Sequence, residues 1–497
     1  MTQNEFKMLA WLKNHAGENY GNFINGQWSN SLSKETYPIF AVANQELLLG
    51  NFPKSNEADV ENAVLSAQKA FNTWSKTEAS TRSEILYKFA DLLEKNVEEL
   101  SFMLSAEQGK ILNESKGEIY RAVKEVRFCA GEALRAQGLT LPSEKSKMWT
   151  STIRKPIGVI AAIAPWNFPA VTPIRKIAPA LAYGCTVVYK PASITPWTSV
   201  KIMDLLKQAG LPDGVVNMVI GSGSEVGEPL INHKLVKGIS FTGSTEMGQH
   251  INVVAAKRLI KTQLELGGKN PAIVLEADNV SNIANQIVSA AFNTSGQRCT
   301  SISRVIVLEN IKEQLVEEII REMKKIKVGP AWDETATMGP LVNVEHLESI
   351  QKYIEIGKKE GARLLYGGEV LSDGFYSEGP YMNPAVFDQV TSDMRIAREE
   401  IFGPVLSIIE VPTISDALEI ANDSEYGLAS SVFSSNLSIA CEYAEGLEVG
   451  MVHINHGTAS AAHVPFGGAK NSGFGAFSIG YSNLEFFTEL KAVYVQF

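Results

Sequence analysis

Residues 157–191, IGVIAAIAPWNFPAVTPIRKIAPALAYGCTVVYKP, carry the pattern that decides the fold. An apolar run at residues 159–163 is followed by a stretch of helical length and then by a second apolar run at residues 186–189. Apolar runs without alternation are typical of strands buried on both faces, and strands joined by a helix usually pair in parallel. The segment therefore predicts a strand, a helix and a parallel strand.

The same pattern continues on both sides of this segment and predicts two α/β units. Residues 215–220 and 238–241 are further apolar runs in the first half. A second series follows, with strand runs at residues 272–275, 304–308, 406–411, 430–433 and 451–455 and helical stretches near 311–325, 346–361 and 414–421. Such alternation is typical of doubly wound parallel sheets, which bind ligands at the carboxyl ends of their strands.

Helices are predicted at both ends of this core. Amphipathic spacing indicates helices at residues 59–74 and 85–97, which we expect to open the folded part, and a third from about 110 to 138. At the C-terminus, residues 484–491 are predicted to form a helix and residues 492–495 a short apolar strand, which we expect to be paired.

The composition is that of a globular protein with two or three domains. The 497 residues are 45% hydrophobic and 20% charged, and the formal net charge is -10, which argues against nonspecific binding to nucleic acid or an anionic membrane. Residues 1–20 contain charges that interrupt any apolar targeting segment. The four cysteines show neither metal-ligand nor disulfide spacing, so we expect no metal and a cytoplasmic location.

Cys299 is the first candidate for a nucleophile. It lies in SGQRCT at residues 295–300, a glycine-containing turn after a helical run. A structural cysteine buried as a small apolar side chain is the alternative. The polar flanks favour the reactive interpretation, and we expect the adjacent Arg298 to favour the thiolate.

Glu265 and Asn167 are candidates for a base and an oxyanion donor. Glu265 stands between two leucines ahead of Gly-Gly, where an apolar setting would raise the pKa of a general base; an exposed strand residue or an ion pair with Lys269 are the alternatives. Asn167 lies between two prolines in PWNFP, residues 165–169, a rigid elbow that could aim its amide at an oxyanion. A simple turn-closing asparagine is the alternative.

Several glycine-containing turns could bind phosphate. FTGSTEMG at residues 241–248 combines a strand end, a Gly-Ser turn and a helix start, which offers backbone N–H groups to a pyrophosphate. The turn GSGSEVG at residues 221–227 is similar, and Lys190 ends the strand before it. Neither turn has the G-x-G-x-x-G spacing of a dinucleotide fingerprint. EEIFGP at residues 399–404 adds an acid and an aromatic residue.

Taken together, the motifs closely resemble the aldehyde dehydrogenase superfamily. They occur in the order PWNFP (165–169), KPxxxTP (190–196), FTGSTxxG (241–248), ELGGKNP (265–271), GQxC (296–299) and EEIFGP (399–404), and the resemblance runs from about residue 22 to the C-terminus. It implies an α/β fold with a Rossmann-type doubly wound parallel sheet as the cofactor domain (residues 1–140 and 158–268), a second α/β catalytic domain (269–480) and a small β oligomerisation extension (141–157 and 481–497).

The resemblance also implies a reaction and a role for each residue. An aldehyde is oxidised to a carboxylate through a thiohemiacetal and a thioester on Cys299, with Asn167 as oxyanion donor and Glu265 activating water for hydrolysis. The implied cofactor-binding residues are Ile163, Pro165, Trp166, Lys190, Ser193, Gly223, Gly227, Phe241, Thr242, Gly243, Ser244, Met247, Leu266, Glu400 and Phe402. The implied substrate-binding residues are Phe168, Arg175, Arg298 and Phe466.

Related functions predict different residues. Acyl-CoA-forming relatives lack the glutamate of the ELGG motif, so Glu265 points to water as the acyl acceptor. A non-catalytic structural or cofactor-binding member would be expected to have lost Cys299, Glu265 or Asn167, and all three are present.

Arg175 bears on the identity of the aldehyde. An arginine at this place holds the distal carboxylate in succinate-semialdehyde and 2-oxoglutarate-semialdehyde dehydrogenases, although it could also lie on an exposed helix face. A second arginine of the succinate-semialdehyde enzymes is Asn293 here. Residues 296–300, 353–368, 391–405 and 465–472 look more like the 2-oxoglutarate-semialdehyde (2,5-dioxopentanoate) dehydrogenases, which makes that aldehyde the expected substrate and succinate semialdehyde the alternative.

The cofactor is expected to be NADP or NAD, with NADP used at least as well as NAD. NAD-specific members of the family generally carry a glutamate three residues after the strand-end lysine, and this chain has Ser193 there. A carboxylate would repel the 2′-phosphate of NADP, whereas a hydroxyl can donate a hydrogen bond to it. By the same resemblance the chain is expected to form a homodimer or a homotetramer.

Overall fold

The computed structural model describes residues 3–276 and 278–497, so the first two residues of the predicted cofactor domain lie outside the described residues. The N-terminal third consists of a helix, short strands, four long helices and two further strands. They are α1 (Gln3–His15), β1 (Glu18–Asn19), β2 (Asn22–Ile24), β3 (Gln27–Ser29), β4 (Thr36–Ala41), β5 (Asn44–Pro53), α2 (Glu57–Trp74), α3 (Ala79–Lys95), α4 (Val97–Gln108), α5 (Leu112–Glu132), β6 (Thr140–Leu141) and β7 (Met148–Pro156).

Two series of strands and helices follow. The first series is β8 (Val159–Ile163), α6 (Val171–Ala182), β9 (Thr186–Lys190), α7 (Trp197–Gln208), β10 (Val216–Met218), α8 (Glu228–Asn232), β11 (Val236–Thr242), α9 (Thr245–Arg258) and β12 (Lys261–Glu265). The second series is β13 (Asn270–Val274), α10 (Val280–Phe292), β14 (Ile302–Leu308), α11 (Glu309–Met323), α12 (Val344–Lys359), β15 (Arg363–Tyr366), β16 (Val370–Leu371), β17 (Tyr381–Met382), β18 (Ala385–Asp388), α13 (Arg395–Arg398), β19 (Val405–Val411), α14 (Ile414–Asn422), β20 (Tyr426–Gly427), β21 (Ala429–Phe433), α15 (Leu437–Gly446), β22 (Met451–Ile454), β23 (Ala469–Lys470), β24 (Gly473–Gly475), α16 (Asn483–Phe487) and β25 (Thr488–Gln496).

The first sheet has eight strands in the order β24-β12-β11-β8-β9-β10-β2-β3, and its five central strands are parallel. Alternate residues of β8 belong to different cores. Ile160 and Ala162 pack in a core that includes α6, whereas Val159 and Ala161 pack in one that includes α2. Helices therefore cover both faces of the sheet, which confirms the predicted doubly wound fold and explains why these strands are apolar without alternation.

The second sheet has seven strands in the order β15-β18-β19-β14-β13-β21-β22, and only β15 runs antiparallel to its neighbour. Helices α10 and α11 contribute to one of its cores and α14 and α15 to another. This confirms the second α/β unit. The domain boundaries given above stay a prediction.

A third sheet, in the order β25-β7-β6, joins the chain end to the segment before β8. Strand β25 pairs with β7 from Thr488 opposite Pro156 to Gln496 opposite Met148. Among residues 3–276 and 278–497, no helix is long and apolar enough to span a membrane.

Three expectations at the chain ends are wrong. The folded part opens with α1 and the β4–β5 hairpin rather than with two helices, because Met8 and Leu12 of α1 are fully buried against the body. The third predicted helix ends at Glu132, not near residue 138. The predicted helix at 484–491 stops at Phe487, because the backbone from Thr488 onward forms hydrogen bonds to β7.

Candidate active site

A cavity of about 350 Å³ lies between the first two sheets. Thr242 and Glu265, the last residues of β11 and β12, line it from one side, and Cys299, in the loop before β14, lines it from the other. Asn167 is a further lining residue. The structure therefore brings the three predicted catalytic residues to one cavity at the carboxyl ends of parallel strands, where α/β sheets place their ligands.

Asn167 is buried in the elbow between β8 and α6. Its side-chain Nδ2 donates a hydrogen bond of 2.9 Å to the backbone oxygen of Gln297, two residues before Cys299. Its own backbone oxygen accepts one of 2.8 Å from Lys110 Nζ. The side-chain amide is thus directed towards the cysteine loop and does not merely close its own turn.

The turn that leads to Cys299 has an unusual backbone. Thr294 and Ser295 have φ values of +56° and +57°, in a region that costs free energy for residues with a Cβ. Glu114 of α5 accepts a 2.7 Å hydrogen bond from the Thr294 N–H and so helps to hold this conformation. Gly296 follows with φ +71°, and a Cβ there would lie 2.4 Å from a backbone oxygen. Because this backbone conformation is unfavourable by itself, contacts with residues outside the turn, such as Glu114, must hold it.

Arg298 favours the Cys299 thiolate, as expected, but larger effects outweigh it and leave the pKa of the thiol raised. Burial is the main cause that raises the pKa of the thiol, and with the nearby carboxylates of Glu265 and Glu400 it brings that pKa to about 12. Arg298 lowers it by less, and its Nη2 donates to Thr458 Oγ1 at 3.0 Å. Cys299 must therefore lose a proton before it can act as a nucleophile.

Glu265 is buried and accepts hydrogen bonds from two hydroxyl groups. Thr242 Oγ1 donates to one carboxylate oxygen at 3.1 Å, and Ser478 Oγ donates to the other. Lys176, which sequence analysis did not single out, donates to Thr242 Oγ1 at 2.8 Å. Burial raises the pKa of Glu265. The alternatives of an exposed residue or an ion pair are wrong, because Lys269 Nζ is buried with no hydrogen-bond partner in the described part of the chain.

The predicted cofactor residues lie on adjacent strand ends of the first sheet. Ile163 at the end of β8 is opposite Lys190 of β9 on one side and Phe241 of β11 on the other. Lys190 is buried, which lowers its pKa to about 8, and its Nζ donates to one backbone oxygen at 3.1 Å. An ammonium has three donors, so two remain for ligand hydroxyl or phosphate oxygens. The backbone oxygen of Ser193 accepts from the Tyr37 hydroxyl at 2.7 Å.

Two glycine turns complete this edge. Gly243 precedes Ser244, which is the N-cap of the 14-residue helix α9. The Ser244 Oγ accepts a hydrogen bond of 3.4 Å from the Met247 N–H. Gly223 and Gly227 bound a five-residue helical turn after β10, and a Cβ on Gly227 would lie 3.7 Å from the Lys190 side chain. Backbone N–H groups at a helix start suit a pyrophosphate, so these residues fit a dinucleotide.

The remaining predicted cofactor residues also line the cavity. They are Pro165, Trp166, Leu266, Glu400 and Phe402. Glu400 accepts a 2.9 Å hydrogen bond from the Gly268 N–H, and burial raises the pKa of its carboxyl to about 7. A Cβ on Gly267 would lie 2.3 Å from the Glu400 carboxylate, which explains a glycine there. The Phe402 and Trp166 rings meet edge to face at 5.4 Å.

The four predicted substrate residues also line the cavity. They are Phe168, Arg175, Arg298 and Phe466. Arg175 is 6% exposed, so the alternative of an exposed helix face is wrong. Its Nε and Nη2 donate to the Glu125 carboxylate at 2.9 to 3.1 Å, and its Cζ lies 4.8 Å from the Phe466 ring centre. Nη1 is not part of the pair with Glu125.

Sequence analysis missed a row of charged residues on one face of α5. They are Glu114, Glu118, Arg121 and Glu125. Arg121 lines the cavity, Glu125 binds Arg175, and Glu118 accepts hydrogen bonds at the start of α6. Their spacing of four, three and four residues was visible in the sequence and places them on one helix face. The same spacing is also typical of a solvated face, which is why it gave no signal by itself.

Comparisons with known proteins agree with this arrangement. A profile described as the aldehyde dehydrogenase family matches residues 28–493. The alpha-ketoglutaric semialdehyde dehydrogenase of Bacillus subtilis (strain 168) is 42% identical over 478 residues, which cover 96% of this chain and 98% of the relative. The 2,5-dioxopentanoate dehydrogenase of Saccharolobus solfataricus is 38% identical over 466 residues, which cover 93% and 96%.

The fold is also that of a solved structure. The crystal structure of betaine aldehyde dehydrogenase from Staphylococcus aureus in complex with NAD+ superposes with a TM-score of 0.96 and 34% sequence identity, and the match covers 100% of this chain and 98% of that chain. The resemblance drawn from the six motifs is thereby confirmed.

Proposed function

Because the chain belongs to the aldehyde dehydrogenase family, we propose that it oxidises 2-oxoglutarate semialdehyde (2,5-dioxopentanoate) to 2-oxoglutarate with NADP or NAD. One observation carries the proposal: the cavity lined by Cys299, Glu265 and Asn167 is also lined by three arginines, Arg121, Arg175 and Arg298. Arginine side chains in a cavity suit an aldehyde that bears a carboxylate. The names of the relatives from B. subtilis and S. solfataricus support the same substrate.

The first chemical step is addition of sulfur to the aldehyde. Cys299 Sγ forms a bond to the carbonyl carbon, and the carbonyl oxygen takes up negative charge. The side-chain amide of Asn167 and the backbone N–H of Cys299 donate hydrogen bonds to that oxygen. The thiol proton leaves to solvent water as the bond forms, so that Glu265 is still available as a base for the second step.

Hydrolysis completes the reaction on the same residues. A nicotinamide held at this site would supply the hydride acceptor that the conversion of the thiohemiacetal to a thioester requires. Glu265, whose pKa is raised by burial, takes a proton from a water molecule, whose oxygen attacks the thioester carbon. The carbon–sulfur bond breaks, the sulfur of Cys299 takes up a proton and the product leaves as a carboxylate, while the proton on Glu265 passes to solvent. Thr242 and Ser478 orient the Glu265 carboxylate during this step.

The residues at the sheet edge would hold the dinucleotide. Lys190 and Ser193 would contact the adenosine ribose, and Gly243 and Ser244 the phosphates, while Glu400 and Phe402 would contact the nicotinamide half. Ser193 carries no charge, so it does not repel a 2′-phosphate and can donate to it. NADP is therefore used at least as well as NAD.

The protein acts in the cytosol as a homodimer or a homotetramer. The free cysteines Cys129, Cys185, Cys299 and Cys441 fit a reducing compartment. Strands β7 and β25 expose large apolar side chains, among them Trp149, Leu490 and Tyr494. An exposed apolar strand pair is a surface that another copy can cover.

A substrate panel tests the proposed function. We expect the highest kcat/KM for 2-oxoglutarate semialdehyde, followed by succinate semialdehyde, glutaraldehyde and a neutral aliphatic aldehyde, each measured with NADP and NAD. A preference for the neutral aldehyde would overturn the assignment of a carboxylate-bearing substrate. Failure to reduce either cofactor with any aldehyde would favour a non-catalytic role.

Arg175→Gln tests the carboxylate site. Loss of a charge-assisted hydrogen bond costs about 1.5–3 kcal/mol, so KM for the semialdehyde is expected to rise about ten- to a hundredfold, with little change for a neutral aldehyde. Arg154→Gln is the matched control, because Arg154 pairs with Glu485 outside the cavity and should change neither KM. Equal losses with both aldehydes would mean that Arg175 only holds Glu125 in place.

A further inference from the structure

Lys110 and Glu118 form a fully buried ion pair beside the candidate active site. Lys110 Nζ lies 2.6 Å from Glu118 Oε2, and the side chains are 0% and 1% exposed. Lys110 lies between α4 and α5, and Glu118 lies on α5. Replacing a buried ion pair by apolar residues is often neutral or stabilising, so the pair is weak evidence of a role in stability alone. Its contacts show what it does instead.

Both members of the pair bind the backbone of the elbow that carries Asn167. Lys110 Nζ donates to the Asn167 backbone oxygen at 2.8 Å. Glu118 Oε1 accepts hydrogen bonds of 2.9 and 3.0 Å from the N–H groups of Ala170 and Val171 at the start of α6. The pair therefore fixes the elbow on both sides of residue 168. Its two opposite charges compensate each other in an interior where water cannot solvate them.

The same helix also binds the loop that carries the nucleophile. Glu114, one turn before Glu118 on α5, accepts the hydrogen bond from the Thr294 N–H described above. Between these two attachments, Asn167 Nδ2 donates a 2.9 Å hydrogen bond to the Gln297 backbone oxygen and so joins the elbow to the cysteine loop. The relative position of the elbow and the cysteine loop is thus set by two carboxylates on one face of α5.

We propose that Lys110 and Glu118 are positioning residues for the oxyanion donor: their buried ion pair fixes the backbone on both sides of Asn167 and so aligns its amide with Cys299. This inference rests on the proposed role of Asn167. We expect the pair to affect the rate at which Cys299 adds to the aldehyde. We expect no effect on binding of the cofactor, because neither Lys110 nor Glu118 lines the cavity.

The experiment compares the rate of the pre-steady-state NADPH burst in wild type and in the double variant Lys110→Met/Glu118→Gln. The double variant removes both charges together and leaves no unpaired buried ion. We expect the burst rate constant to fall about ten- to a hundredfold, less than the loss usually found on removal of an oxyanion donor. The Kd for NADP is expected to stay within about twofold, and the rate of Cys299 alkylation should be unchanged. Glu118→Asp, which keeps both charges but shortens the reach of the carboxylate to the elbow, is the second variant if the double variant does not fold, and it should slow the burst in the same direction.

A double-mutant cycle separates positioning from a general structural effect. In an Asn167→Ala background, removal of the pair should lower the burst rate constant less than about threefold, because the group that it aligns is absent. An undiminished loss in that background, or no loss in the wild-type background, would overturn the inference. If Asn167→Ala alone leaves the burst unchanged, the proposed role of Asn167 fails, and this outcome is distinct from the previous two.

The matched control is the partly buried pair formed by Lys312 of α11 and Asp388 at the end of β18. Lys312→Met/Asp388→Asn also removes an ion pair, although one that is remote from the cavity. We expect it to lower the melting temperature without changing the burst rate constant. A slower burst in this control would show that loss of an internal ion pair is sufficient by itself and would overturn the specific role of Lys110 and Glu118.

Discussion

At the scale of single residues, Glu265 depends on a short chain of hydrogen bonds. Thr242 links its carboxylate to the ammonium of Lys176, which is itself buried. Burial lowers the pKa of Lys176 to about 8, although the charge of Glu265 opposes that shift, and burial raises the pKa of Glu265. The two shifts bring the affinities of the two groups for a proton closer together. The hydrogen bonds through Thr242 therefore couple the ionisation of Glu265 to that of Lys176.

Glu265→Gln is expected to give one rapid burst of NADPH followed by a stall. The thioester can still form, but no carboxylate remains to activate the water that hydrolyses it. The measurement is stopped-flow absorbance over the first turnover and then at steady state. Cys299→Ala is the control and should show no burst while it retains cofactor binding. A Glu265→Gln enzyme with both phases equally slow would show that this carboxylate acts mainly on the thiol.

The types of the reactive residues could be predicted from the sequence, but their ionisation could not. The motifs around Cys299, Glu265 and Asn167 predicted one shared site, and all three residues line the cavity. Arg298 does lower the pKa of the thiol, as expected, but sequence proximity does not reveal the burial that outweighs it. Burial and two carboxylates from distant segments decide the pKa of Cys299.

At the scale of elements, the end of β9 offers a test of cofactor choice. Ser193→Glu is expected to shift preference towards NAD, because a carboxylate three residues after Lys190 would repel a 2′-phosphate. The measurement is kcat/KM for NADP and NAD in wild type and variant, and the expected change lies in the NADP value. Ser438→Glu on α15 adds the same charge at an exposed position far along the chain and should change neither value. A wild type that strongly prefers NAD would leave Ser193 without this role.

Elements whose stability is local were predicted better than elements that depend on a distant partner. Strand β8 forms at the predicted residues 159–163. Its continuous apolar run is typical of a strand that is buried on both faces, so the sequence alone indicates it. Residues 488–491 were predicted to be helical, yet they pair with β7, more than 300 residues earlier in the chain. The charged face of α5 gave no signal for a related reason, since Glu114 binds a residue 180 positions away.

At the scale of the whole molecule, the third sheet ends in a long unpaired edge. Strand β25 lies at the edge of the order β25-β7-β6, and most of its residues are exposed. Unpaired backbone N–H and C=O groups along an exposed apolar edge favour association with another chain. The exposed edge of the third sheet at β25 is therefore the expected contact between copies of this protein.

Leu490→Lys/Tyr494→Lys is expected to reduce the mass of the assembly in sedimentation velocity. These side chains are 58% and 72% exposed, so in the single chain the substitutions should cost little stability, whereas charges would be buried in a contact between copies. Leu437→Lys is the matched control, because Leu437 is 70% exposed on α15 and lies outside the third sheet. An unchanged mass for the double variant would place the contact on another surface.

The raised pKa of Cys299 has a consequence for damage by oxidants. Peroxide attacks the thiolate and hardly the thiol, so a cysteine with a pKa near 12 is slow to form a sulfenic acid at neutral pH. Burial also raises the pKa of Cys185, to about 11, and that of Cys129. Cys299 of the resting protein is therefore expected to react slowly with peroxide, and it is most sensitive in the interval of each catalytic cycle when it is deprotonated but not yet bonded to substrate.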